Sequence, residues 1–155
     1  MLEHAIKYGK LGWKVFPVIG KKPAIIGWQE KATSDPVEIK KLFQVKHTGI
    51  GLACGKESGV TVLDVDNKNG HNGFETMKRM GVELPLTVCS NTPNGGKHYF
   101  FKYNSQLKNM VSAIHKDSGL DIRNDGGYVV LPPSKSESDV IYEFLEEQTP
   151  GLLWN

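Results

Sequence analysis

Apolar positions recur at helical spacing from Leu2 to about Leu11 (Leu2, Ala5, Ile6), which predicts a first helix. After Gly12, the stretch Trp13-Lys-Val-Phe-Pro-Val18 alternates as a short strand. Pro17 places that strand at a sheet edge, because proline has no N–H to give to a ladder. Gly20-Lys-Lys-Pro23 reads as a basic turn. Asp35-Pro36-Val37-Glu38 is a helix start, with Asp as N-cap, Pro at the first helical position and Glu in the reciprocal capping position. That helix is expected to run to about Phe43 or Gln44.

From Gly49 the pattern changes to strands separated by glycine turns. Gly49–Ala53 and Val60–Asp66 are expected as neighbouring strands joined across Gly55-Lys-Glu-Ser-Gly59. A helix from about Asn72 to Met80 is stopped by Gly81. Leu86–Ser90 and His98–Tyr103 read as a hairpin around Pro93-Asn-Gly-Gly96. A second hairpin is expected to pair Leu120–Arg123 with Tyr128–Leu131 across Asn124-Asp-Gly-Gly127. A last strand spans Val140 to Leu145. This order predicts an α+β fold: a small helix-strand module followed by an antiparallel sheet with a covering helix, in one domain of two approximate lobes, 1–58 and 59–155.

Composition narrows the picture modestly. A chain of 155 residues can bury a proper core, and 39% hydrophobic with 23% charged residues is ordinary for a globular domain. No apolar run approaches the roughly 20 residues that cross a bilayer, and the first residues lack the plan of a secretory signal, so no membrane contact and a cytoplasmic location are expected. Cys54 and Cys89 alone cannot build a disulfide framework or a cysteine-rich zinc site. A net charge of +2 is too small to demonstrate nucleic-acid binding.

The chemistry concentrates in a few places. In Val60-Thr-Val-Leu-Asp-Val-Asp66, side chains alternate, so Asp64 and Asp66 share one face, roughly 7 Å apart. Like charges so placed repel, and a divalent cation with a preference for hard oxygen ligands, magnesium or manganese, removes the conflict. Against this stands a merely solvated strand end. In Thr92-Pro-Asn-Gly-Gly-Lys-His98, successive glycines let backbone amides of Asn94, Gly95 and Gly96 approach an anion, and His98 beside them can donate to a phosphate oxygen. The bland alternatives are a hairpin turn and a core-edge histidine. In Gly119-Leu-Asp-Ile-Arg123, Asp121 can complete a triad of carboxylates and Arg123 can hold a triphosphate, or the two can form an inconsequential ion pair. Ser134 can bond a phosphate or cap its loop, Lys21 and Lys22 can touch triphosphate or template or stay solvated, and Gly49 and Gly51 can admit a nucleotide or mark a bulge. Trp13 and Trp28 read as core rather than as base-stacking platforms.

The set Leu-Asp64-Val-Asp66, Asn94-Gly-Gly-Lys-His98-Tyr-Phe and Gly-Leu-Asp121-Ile-Arg123 with Gly-Gly-Tyr-Val-Val-Leu-Pro-Pro-Ser134 closely resembles the primase-polymerase (Prim-Pol) domain of the archaeo-eukaryotic primase superfamily, found in plasmid and phage replication proteins. Gly12-Trp-Lys-Val-Phe-Pro, Lys21-Lys-Pro, Gly27-Trp28 and Ala32-Thr-Ser-Asp35 resemble the start of that domain, so the likeness covers essentially the whole chain. It implies an N-terminal αβ module beside an RNA-recognition-motif-like sheet, with the active site between them. It implies Asp64, Asp66 and Asp121 as ligands of two Mg²⁺ or Mn²⁺ ions and His98 as the contact to the nucleotide's phosphates. The implied activity is template-directed nucleotidyl transfer, making or extending primers from nucleoside triphosphates on single-stranded or primed DNA. The chain lacks the zinc-binding insertion and helicase segment of longer members, so no structural zinc is expected and unwinding would come from a helicase in trans or on a longer parent chain. A nucleic-acid-binding module without turnover and a metal-dependent phosphodiesterase are the competing readings.

Overall fold

The computed structural model describes residues 1–68 and 70–145. In chain order the elements are α1 (Leu2–Lys10), β1 (Val15–Ile19), β2 (Lys22–Pro23), α2 (Trp28–Lys31), α3 (Pro36–Leu42), β3 (Gly49–Ala53), β4 (Val60–Val65), β5 (Asn67–Lys68), β6 (His71–Asn72), α4 (Gly73–Met80), β7 (Val88–Asn91), β8 (Lys97–Lys102), β9 (Leu120–Arg123), β10 (Tyr128–Leu131) and β11 (Glu143–Phe144). Two antiparallel sheets organise them, ordered β10-β3-β1-β2 and β11-β7-β8-β4-β9, with β5 and β6 forming a separate small ribbon. The fold is α+β, as the alternation of patterns predicts. None of the described helices is long and apolar enough to cross a membrane.

Local chemistry accounts for the helices. Asp35 caps α3 by accepting from the N–H groups of Val37 and Glu38, with Pro36 at the first helical position. The reciprocal half of the expected box is missing: Glu38 pairs with Lys41, and the Asp35 N–H donates to Thr33 Oγ1. Asn72 caps α4 in the same manner, and Gly81 ends it in the left-handed region at φ 67°. The buried side of α1, Ala5 and Tyr8, packs with Ile39 of α3 over a core of Val15, Ile50, Leu52, Val60, Val62, Phe100 and Leu131, which draws on both sheets. Trp13, only 2% exposed, stacks between Tyr8 and Phe100, as its reading as core requires.

Several pairings differ from the sequence reading. Gly49–Ala53 and Val60–Val65 are not neighbours: β3 lies between β10 and β1, β4 lies between β8 and β9, and only a bridge from Gly55 to Val60 links the two segments. β3 is buried along its whole length and needs a partner on each edge, which β4, already flanked by two strands, cannot be. Nor do Leu120–Arg123 and Tyr128–Leu131 form a hairpin, because β9 joins the second sheet and β10 the first. The turn residues at 124–127 reverse the chain without closing a ladder. Asn124 is fully buried there; its amide accepts from Thr61 Oγ1 and donates to the carbonyls of Asn104 and Leu107, tying the turn to other segments. β1 is not an edge strand either. The two-residue β2 flanks it, reaching Val18 and Ile19, while Pro17 uses only its carbonyl on that side, accepting from Ala24. The last strand is reduced to Glu143–Phe144, paired with β7.

In the second sheet the order β7-β8-β4-β9, with α4 between the first and second strands in sequence, is the strand arrangement of an RNA-recognition motif. The expected second helix of such a motif is replaced by the irregular segment 103–119.

Candidate active site

Alternation along the strands of the second sheet separates two faces. Leu63 and Val65 of β4, Tyr99 of β8, and Leu120 and Ile122 of β9 pack with Met77 of α4. The opposite face carries one row of opposed residues, Val88, Phe100, Val62 and Arg123, running from β7 through β8 and β4 to β9. One pleat further along, the row reads Ser90, His98, Asp64 and Asp121. The apolar core therefore stops within a single pleat, and a continuous polar row begins. Asp66 follows two residues after Asp64, on the same side, and its backbone N–H donates to Gly119 O.

Carboxylate oxygens of Asp64, Asp66 and Asp121 all lie within 4.8 Å of one another. Asp121 accepts from the Ser112 N–H at 2.9 Å and from Arg123 at 3.1 Å, and the same guanidinium stands 3.8 Å from Asp64. His98 Nε2 is 3.4 Å from the other Asp64 oxygen. Burial pushes the Asp64 carboxyl up, but the hydrogen bond and charge of His98, together with Arg123, outweigh it and hold the group below its ordinary range. Asp66 goes the other way: burial, then the charge of Asp64, raises it. Among the described residues, no hydrogen bond or ion pair reaches its carboxylate.

Three converging carboxylates, of which Asp66 has no ion pair among the described residues, fit a divalent cation, which prefers hard oxygen donors and removes the mutual repulsion. Arg123 neutralises part of the cluster without filling it. The side chains of Asp64 and Asp121 are 13% and 12% exposed, buried enough for strong electrostatics yet open on one side. Among the described residues, buried His98 Nδ1 and Ser90 Oγ, opposite one another on β8 and β7, find no hydrogen-bond partner. Unpaired buried polar atoms are costly, so their persistence beside a charged cluster is a mark of a functional site.

The row opens into a cavity of about 600 Å³. Asp64, Asp66, Asp121, His98 and Arg123 line it together, as does Asn94 from the glycine turn. Gly95 and Gly96 do not line it. A Cβ on Gly96 would stand 2.5 Å from Val65 O, so this glycine lets the turn pack against the end of β4. Of the two basic-turn lysines, Lys21 lines the cavity and Lys22 does not. Ser134 is fully buried elsewhere; its hydroxyl accepts from the Ile50 N–H at 2.8 Å. Gly49 makes room for that serine and Gly51 for the ring of Phe16, since a Cβ at either position would collide with those side chains.

Sequence reasoning missed Tyr142, Ser112 and the aromatic pair Trp28 and Tyr128 as cavity walls. Tyr142 is nearly buried, its ring 6.3 Å from that of His98, and burial, followed by the charge of Asp64, pushes its hydroxyl up to about 12. It precedes a two-residue strand and carries no pattern of its own. Trp28, read from the sequence as core, is only half-buried and lines the cavity.

No curated protein matches the chain in a comparison of sequences. The family model of the Prim-Pol domain, described as bifunctional DNA primase/polymerase, N-terminal, matches residues 5–153. With nearly the whole chain matched and the acids gathered as described, the protein belongs to the Prim-Pol family of bifunctional DNA primase/polymerase N-terminal domains.

Proposed function

We propose that this protein is a template-directed nucleotidyltransferase that makes or extends primers on single-stranded or primed DNA from nucleoside triphosphates. The convergence of Asp64, Asp66 and Asp121 beside His98 and Arg123 at the wall of one cavity carries this reading. Divalent cations, Mg²⁺ or Mn²⁺, bound by the three aspartates would acidify the primer 3′-hydroxyl and neutralise charge on the leaving pyrophosphate. The chain's own contribution is position and charge. Arg123, already fixed by two carboxylates, presents a guanidinium to phosphate oxygens, and His98 offers a ring nitrogen beside Asp64. No side-chain nucleophile is needed, and none of serine or cysteine type lies in the row except Ser90, which is fully buried.

Incorporation of labelled nucleotide on a primed single-stranded template tests the reading. Asp64→Ala or Asp66→Ala should abolish incorporation with circular dichroism unchanged; full activity in either variant removes the metal assignment. His98→Ala should raise the Michaelis constant for the nucleotide about tenfold or more, the scale of one lost charge-assisted hydrogen bond. Degradation of the strand in the absence of nucleotides would instead identify a phosphodiesterase.

A further inference from the structure

Trp28 opens α2, a four-residue helix none of whose residues is buried. One face of its ring stacks on Phe16, with centroids 4.7 Å apart and planes at 24°. The ring of Tyr128 meets Trp28 at 5.1 Å and Phe16 at 5.5 Å, both edge-on. Tyr128 is itself held in place, its hydroxyl donating to Lys21 O. Phe16 is fully buried beneath it, while the indole itself stays partly exposed. Both Trp28 and Tyr128 line the same cavity as the three aspartates. A space of about 600 Å³ is of the size that takes a whole small-molecule ligand, more than the triphosphate end of a nucleotide requires. Gly126 and Gly127 line it alongside and project no side chain across it.

We propose that Trp28, backed by Phe16 and braced by Tyr128, is the platform on which the base of the bound nucleoside triphosphate stacks. The chemistry is sequence-tolerant, since every base offers an apolar planar face. Two rigid aromatic rings lose little freedom on binding, which suits a site that must accept each nucleotide in turn. The inference rests on the nucleotide reading given above, and the experiment separates the two.

Calorimetry with the full chain and Mn²⁺, without DNA, compares ATP with inorganic tripolyphosphate. Wild type should bind ATP about tenfold or more tightly than tripolyphosphate, the scale of one base–aromatic stack. Trp28→Leu should erase that preference while keeping its tripolyphosphate affinity; Trp28→Phe, which retains a ring and the packing on Phe16, should keep most of it. ATP, and not tripolyphosphate, should quench tryptophan emission in wild type, and Trp28→Phe should lose that quench while still binding ATP. An unchanged ATP preference in Trp28→Leu, equal weakening of both probes, or a difference seen only with a primed template overturns the platform and leaves the phosphate site standing. Should neither probe bind wild type, the nucleotide site fails and the platform with it.

Discussion

Of the three carboxylates, Asp64 and Asp121 have Arg123 as a neighbour, whereas Asp66 stands without a partner among the described residues. Asp66 is thus the residue through which metal binding is best read. Its carboxyl is raised by burial and by Asp64, so it releases its proton at a higher pH than an ordinary aspartate. In metal-free protein a raised carboxyl contributes stability that is present below its unfolded pKa and lost as pH rises through the folded value. Melting curves of metal-free wild type and Asp66→Asn should therefore agree in acid and separate at neutral pH, with the variant at or above wild type. Adding Mn²⁺ should raise the melting temperature of wild type and leave Asp66→Asn nearly unmoved. The same proton must leave before a cation can bind, so Mn²⁺ affinity should fall as pH drops through the raised Asp66 range. At this scale the sequence was legible for the acids, His98 and Arg123, because alternation alone puts them on the inner face. It was silent on Ser112, which arrives from the irregular segment 103–119, and on Tyr142, whose expected strand Val140–Leu145 shrinks to Glu143–Phe144.

Glycines and a serine that resemble ligand-binding devices in sequence serve packing between elements. Ser134 accepts the N–H of Ile50, and Gly49 is bare because any Cβ would collide with that serine. Ser134→Ala leaves a buried N–H unpaired and should cost about 1–3 kcal/mol of stability, seen as a lower urea midpoint, with nucleotide affinity unchanged. Gly96→Ala should be worse for the site, because the turn carrying Asn94 would be pushed off the Val65 carbonyl. The longer helices α1, α3 and α4 were readable, with Asp35 and Asn72 announcing two starts and Gly81 one end, whereas the four-residue α2 was not foreseen. The longer strands were also legible, and so was one pairing, the hairpin of β7 with β8; the other partners were not. The motif Asn124-Asp-Gly-Gly127 is a strong tight-turn signal, yet the turn leads from one sheet to the other. Turn propensity is local, whereas the buried amide of Asn124, bonded to residues 61, 104 and 107, is a tertiary decision.

For the whole molecule, that crossing has a mechanical consequence. β9 brings Asp121 and Arg123 to the cavity, and β10, four residues later, brings Tyr128 and Val130. A short tether thus sets the gap between the charged wall and the aromatic wall, much as a hinge pin sets the opening of calipers. Lengthening it by two glycines after Asp125 should leave both sheets folded, since each strand keeps its partner, but it should loosen that spacing and depress primer extension more than it depresses binding of tripolyphosphate. Jaw width in this protein is then written in four residues of loop, and changing their number is a way to change what the jaws grip.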